Sequence, residues 1–264
     1  MDRTQDARTA VVWAALRREL DRAGERTLRV LDVGGGTGGF AVPLARSGHL
    51  VTVVDASPDA LAALTRRAAE AGVAGRVTAL QGDADRIAEL VDPASVDLVL
   101  CHSLLEVVDS PDDVVEALAA ALRPGGAASV LVANRAAAVL ARAISGQFGA
   151  AAALLAAPDG ESPAAPRQPA AGLRRRFDAA SASGLLRAAG LVVEEIHGVR
   201  VVADLVPGSV ADADPQALAA FEVAVSDRAP YRDIAAQLHL LARRPPAAAH
   251  STGAARPTDT LEAA

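Results

Sequence analysis

The chain is 264 residues long, 51% hydrophobic but only 2% aromatic, with a formal net charge of -6. Its cationic residues are all arginine, and the acidic balance excludes a global basic field that would draw in nucleic acid. The single cysteine, Cys101, excludes an internal disulfide framework and fits a reducing cytoplasm.

In chain order, Arg8–Ala23 has helical spacing, with Val12, Leu16 and Leu20 near one face. A first strand, Leu28–Val33, runs into the glycine loop Gly34–Gly39, and a helix carrying Phe40, Val42 and Leu44 follows. The second strand, Leu50–Val54, ends at Asp55. Ser57-Pro58 then supplies an N-cap and a first-turn proline for a helix over Asp59–Ala71. Strand three is Val77–Leu80, ending in Gln81-Gly82-Asp83-Ala84, and strand four is Val96–Leu100, ending in Cys101-His102-Ser103. Ser110-Pro111 opens a helix to Leu122, with Asp113 placed as the capping-box acid. Arg123-Pro124-Gly125-Gly126 turns into strand five, Ala127–Val132.

Beyond it the regular alternation stops. Ala136–Ala157 is alanine-rich and interrupted by Arg142 and Gln147, which makes it a cap segment and not a membrane span. A loop is expected at Pro158–Pro169, a helix at Ala179–Ala189, strand six at Leu191–Ile196, a helix at Gln216–Ser226 and strand seven at Ala236–Ala242. The tail after Pro245-Pro246 has the composition of a disordered segment. This divides the chain into a cofactor-covering helix (1–27), a nucleotide-binding core (28–134), a helical lid (135–190), the rest of the sheet (191–244) and the tail (245–264).

Strand, glycine turn, helix, strand, acid is the layout of a nucleotide-binding βαβ unit. Gly34, Gly36 and Gly39 satisfy the dinucleotide pattern formally. Asp32 decides against it, because a carboxylate two residues before the loop would repel a pyrophosphate at the helix N-terminus. The same carboxylate suits the ammonium and sulfonium of S-adenosylmethionine. Asp55 is then the ribose acid, and Asp83 with the Ala84 backbone is the adenine-reading pair.

The string Val30–Gly38, VLDVGGGTG, resembles motif I of class I S-adenosylmethionine-dependent methyltransferases. That resemblance implies an α/β, Rossmann-like fold: a seven-stranded, mostly parallel sheet with helices on both faces and a small helical substrate lid. More narrowly, the chain resembles the tRNA 5-carboxymethoxyuridine methyltransferase family. The resemblance rests on LRVLDVGGG, on CHSLLE after strand four, on LRPGG, on GVRV at Gly198–Val201, on Ala229-Pro230-Tyr231 and on ARTAVVWAAL. It implies that Arg8 holds the methionine carboxylate, and that Gly34, Gly35, Asp55, Ala84, Asp85 and His102 contact the cofactor. Family members carry a further stretch ahead of that first helix, which here begins close to Met1. Val107 stands where the family has an aromatic residue, and Arg174-Arg175-Arg176 is the counterpart of its lysine-rich segment.

Methyl transfer is an in-line displacement at an activated carbon, so the protein chiefly aligns donor and acceptor. A carboxylate acceptor needs orientation, and an amine or hydroxyl also needs a base. Residues after strand five offer Arg200, Arg135, Asn134 and Tyr231 on the acceptor side. The resemblance implies the tRNA wobble uridine's carboxymethoxy group as acceptor. The alternatives are a small-molecule carboxylate, hydroxyl or amine, which the acidic balance and scarce aromatics favour, and a non-catalytic cofactor-binding protein. No metal or membrane is expected to take part.

Overall fold

The structure is a computed structural model describing residues 6–157 and 175–246. Helix α1 (Ala10–Ala23) precedes β1 (Arg29–Val33), α2 (Ala41–Arg46), β2 (Leu50–Asp55), α3 (Pro58–Glu70), β3 (Val77–Gln81), α4 (Ile87–Leu90) and β4 (Val96–His102). Then come α5 (Pro111–Ala121), β5 (Leu122–Ala133), α6 (Arg135–Ile144), α7 (Phe148–Ala156), α8 (Ala179–Ala188) and β6 (Val192–Val199). The helices α9 (Gly208–Ala213), α10 (Pro215–Val225) and α11 (Tyr231–Ile234) lead to β7 (Gln237–Arg243). The expected loop at Pro158–Pro169 and the tail from residue 247 lie outside the described residues.

The seven strands form one sheet in the order β3-β2-β1-β4-β5-β7-β6. Strand β7 runs antiparallel to both neighbours, while the pairings from β3 through to β5 are parallel. Two apolar layers cover the faces. On one, α1, α2 and α3 bury Val12, Leu16, Leu44 and Leu64 against Val53 and Leu100. On the other, α5 and α8 bury Val115, Leu118 and Leu186 against Val99 and Val130. Each such fully buried leucine or valine side chain contributes about 2 kcal/mol over exposure. This is the mostly parallel, doubly covered sheet expected from the alternation of elements.

Local signals set the helix starts. Ser57 Oγ accepts from Ala60 N–H and Ser110 Oγ from Asp113 N–H, each before a first-turn proline. A complete reciprocal box forms elsewhere, between Asp178 and Ser181 at the start of α8. Strand β5 begins five residues earlier than the apolar pattern indicates. Leu122 pairs with Val96 before the Arg-Pro-Gly-Gly turn, and the register then jumps to Ala127 opposite Leu98. Gly125, at φ 79°, makes that bulge.

Candidate cofactor and acceptor site

The parallel strands deliver their carboxyl ends to one edge, where ligands of open α/β sheets bind. Gly34 and Gly36 adopt positive φ values of 70° and 55°, so the chain reverses tightly after β1. Gly34 N–H donates to the Val54 carbonyl (2.8 Å), and Gly36 N–H to Asp55 Oδ2 (2.9 Å). Asp55 Oδ1 accepts from Ser57 N–H (2.9 Å). One carboxylate thus fixes both the glycine loop and the entry to α3, and Asp55 also lines a cleft.

That cleft, about 270 Å³, is lined by Gly34, Asp55, Asp83, Ala84, Asp85, Leu104 and Val107. Asp83, Asp109 and Asp113 together raise the carboxyl pKa of Asp85 after burial has done so first. Asp32 lies beneath the loop, 3% exposed. Burial and the neighbouring Asp55 push its carboxyl up to about 7, and Oδ2 has no hydrogen-bond partner in the protein. A buried carboxylate oxygen without a partner is suited to a cationic ligand group and opposed to a pyrophosphate.

His102 ends β4. Its ring meets the Phe40 ring edge-on at 4.7 Å, and Phe40 packs on Trp13 of α1 at 5.0 Å. Burial lowers its pKa to about 4, and Nδ1 is buried without a partner. Ser103 follows at φ 55°, in the left-handed region, with Oγ accepting from Gln237 Nε2–H.

Arg8 and Arg200, far apart in sequence, meet on Asp204: Arg8 Nε lies 3.3 Å from Oδ1 and Arg200 Nη2 2.7 Å from Oδ2. Arg200 stands immediately after β6 at φ 60°, and its Nε is buried without a partner. The loop that carries it is held by Glu222 of α10, which is fully buried. Glu222 accepts from the N–H groups of Val201 (2.9 Å), Val202 (2.8 Å) and Ala203 (2.8 Å). Neither Asp204 nor Glu222 was singled out by sequence. The one available signal for Glu222 was an acid alone in the apolar run Ala-Phe-Glu-Val-Ala.

The other acceptor-side candidates are placed differently. Asn134, 2% exposed, donates through Nδ2 to the carbonyls of Asp233 and Ala235 and accepts at Oδ1 from Ala136 N–H, so its amide is spent on the fold. Arg135 pairs with Asp178 and donates to the Ala157 carbonyl, tying α6 to the ends of α7 and α8. Tyr231 opens α11 and is half-exposed. Of the basic cluster, Arg174 lies outside the described residues and Arg175 donates to the Val108 and Asp109 carbonyls. Glu106, after β4, accepts from Ala133 N–H at Oε1 while its buried Oε2 is unpartnered, and burial raises its pKa. Among the described residues no cluster of His, Cys, Asp and Glu is placed to hold a metal ion, and no helix is long and apolar enough to cross a membrane.

Residues 30–126 match the family model described as a methyltransferase domain. S-adenosylmethionine is the methyl donor such a domain implies, and Asp32, the glycine loop and Asp55 fit it. The chain is 34% identical over 141 residues to the tRNA 5-carboxymethoxyuridine methyltransferase of Escherichia coli (strain K12), covering 53% of this chain and 54% of that one. It is 37% identical over 120 residues to a ubiquinone biosynthesis O-methyltransferase of Xylella fastidiosa (strain 9a5c), covering 45% and 47%. It thus spans about half the length of the curated relatives it matches. Among solved structures, an S-adenosylmethionine-dependent methyltransferase from Mesorhizobium loti superposes with a TM-score of 0.58 at 21% identity, over 90% of this chain and all of that one. Magnesium protoporphyrin IX methyltransferase from Synechocystis, with bound S-adenosylhomocysteine, gives 0.59 at 15% identity over 90% and 84%. These likenesses show the shared class I methyltransferase fold.

Proposed function

We propose that the protein is an S-adenosylmethionine-dependent methyltransferase whose acceptor is a small molecule held between the C-terminal sheet edge and the α6–α7 lid. When bound, the cofactor supplies a methyl group already activated by its sulfonium. Asp32 faces the cationic end, Asp55 takes the ribose, and Asp83, Ala84 and Asp85 line the adenine side. Arg8 holds the carboxylate, and Arg200 orients the acceptor from its strained position after β6.

The observation that favours a small acceptor over a polyanion is the fate of the arginines around the edge. Apart from Arg8 and Arg200, which are assigned to the ligands, Arg135 is paired with Asp178, Arg232 with Asp233, and Arg175 is spent on two carbonyls. The cleft beside them is rimmed by Asp83, Asp85 and Asp109. Nucleic acid binding draws on cations free to neutralise phosphates, and an acidic rim opposes it.

The second reading, methylation of 5-carboxymethoxyuridine in tRNA, is favoured by the 34% identity to the Escherichia coli enzyme of that name. Purified protein with radiolabelled S-adenosylmethionine separates the two. One arm contains tRNA bearing the unmethylated nucleoside, the other a panel of small carboxylates, phenols and amines. Label in the tRNA arm overturns the small-acceptor reading. No S-adenosylhomocysteine binding in calorimetry overturns both.

A further inference from the structure

Three of the five histidines form one hydrogen-bonded line across the sheet. His102 Nε2 on β4 lies 2.9 Å from Ser129 Oγ on β5, and Ser129 Oγ lies 2.8 Å from His239 Nε2 on β7. His239 Nδ1 lies 3.3 Å from His197 Nδ1 on β6. The line ends at Arg18 of α1, whose Nη2 is 3.5 Å from His197 Nε2 and 2.5 Å from Glu195 Oε2. Glu195 Oε2 is itself 3.3 Å from His197 Nε2, and Asp227 adds a further negative charge near that ring. Arg18, Glu195, His197 and Asp227 border an open cleft of about 460 Å³ that includes none of the glycine-loop residues. Ser129 and His239 are fully buried. Burial lowers the pKa of all three rings, which favours the neutral form with one N–H each.

His197 Nε2 has two outer partners, Arg18 Nη2, which only donates, at 3.5 Å and Glu195 Oε2, which only accepts, at 3.3 Å, and each sets one of two opposite proton orders along the line. In the order set by Arg18, the His197 proton is on Nδ1 and points at His239 Nδ1. The His239 proton is then on Nε2 and is given to Ser129 Oγ. Ser129 O–H donates to His102 Nε2, which leaves the His102 proton on Nδ1. That nitrogen is the buried atom without a protein partner at the C-terminal end of β4.

We propose that the Arg18–His197–His239–Ser129 line is a positioning relay that sets His102 as the Nδ1–H tautomer, presenting a neutral donor to an anionic oxygen of the bound ligands. The proposal rests on the methyltransferase reading above. The oxygen belongs either to the cofactor's carboxylate or to the acceptor. A buried donor left unpartnered is costly, and a ligand oxygen removes that cost.

The test is histidine tautomer assignment by long-range proton–nitrogen NMR on the full-length protein, wild type beside Arg18→Ala, Arg18→Lys and Glu195→Ala. In the wild type, His102 and His197 are protonated on Nδ1 and His239 on Nε2. Arg18→Ala leaves Glu195, which only accepts, as the outer partner, so all three tautomers invert and His102 Nδ1 becomes bare. Arg18→Lys, still a donor, and Glu195→Ala, which keeps Arg18, retain the wild-type pattern. Calorimetry supplies the functional arm. If the oxygen is the cofactor's, Arg18→Ala weakens S-adenosylhomocysteine about tenfold and leaves 5′-methylthioadenosine, which lacks the carboxylate, unchanged. If it is the acceptor's, both nucleosides bind as in wild type, and kcat/KM for methyl transfer falls about tenfold. A bare His102 Nδ1 in the wild type, tautomers unmoved by Arg18→Ala, or inversion without any change in binding or turnover each overturns the relay. Failure of both nucleosides to bind wild-type protein overturns the methyltransferase reading, and the tautomers judge the line of donors separately.

Discussion

Gly35 lies directly against the carboxylate of Asp32: a Cβ built there falls 2.6 Å from Oδ2 and 2.9 Å from Val53 Cγ1. Its φ is not in the left-handed region, so alanine is excluded by space and not by backbone strain. Gly35→Ala is expected to lower stability by about 1–3 kcal/mol, as overpacking does. S-adenosylhomocysteine affinity is expected to fall more than tenfold, because Asp32 is displaced. Thermal unfolding and calorimetry on one preparation check both; unchanged affinity removes Asp32 from the site.

Asp32 itself gives a pH signature. Its folded pKa, about 7, is raised from 3.8, so the native state holds a proton that the unfolded state has already lost. The apo protein therefore loses stability from this group as pH rises from 3.8 to about 7, on the order of 4 kcal/mol in total. Asp32→Asn is expected to be more stable than wild type at about pH 8 and similar to it near pH 4. Ligand binding has the opposite sign. The cationic end of the cofactor selects the carboxylate, so wild-type affinity weakens as pH falls through about 7, and in Asp32→Asn it is weak throughout. Calorimetry across that range distinguishes this from a pH-independent site.

Asp204 is the ion-pair partner of Arg8. The pair is exposed on the arginine side, 63%, and is worth about 1 kcal/mol or less. Asp204→Asn is expected to bind S-adenosylhomocysteine up to about fivefold more tightly, since Arg8 no longer has to exchange partners. Arg8→Ala is expected to bind about tenfold more weakly with the fold intact. Weaker binding in Asp204→Asn contradicts the assignment of Arg8 to the carboxylate.

Glu222 is the fastening of the Arg200 loop. Gln at this position offers one acceptor oxygen to three donors and sets an NH2 group against the others, so Glu222→Gln is expected to cost about 2–4 kcal/mol. The loss is concentrated at residues 200–206, and limited proteolysis is expected to cut there first. Cleavage elsewhere with an unchanged melting temperature argues against it.

What the amino-acid order reveals about this molecule follows sequence distance. The glycine loop, Asp55 and the Ser57-Pro58 and Ser110-Pro111 helix starts are legible because their hydrogen bonds close within a few residues or within one βαβ unit. Asp32 is legible through chemistry alone, since an acid before a phosphate loop contradicts itself. The Asp204 pairing, the Glu222 clamp and the histidine line are not, because their partners come from different elements up to 196 residues apart. Asn134 and Arg135 show the converse. Their place at the end of β5 invites a substrate role, and only the folded chain brings up the Asp233 and Ala235 carbonyls and the Asp178 carboxylate that engage them.

Strand β7 lies between β5 and β6, and it is the last strand of the described chain. During synthesis the ribosome therefore releases β6 before its neighbour exists, and the β6 edge waits as an open hydrogen-bonding ladder until Arg243 has emerged. The methyl-donor half, β1 to β4, is by then complete. A nascent chain passes through an interval in which five strands, β3-β2-β1-β4-β5, are joined while β6 is still without a neighbour. The final seven-residue strand closes both the sheet and, through His239, the line of donors that crosses it.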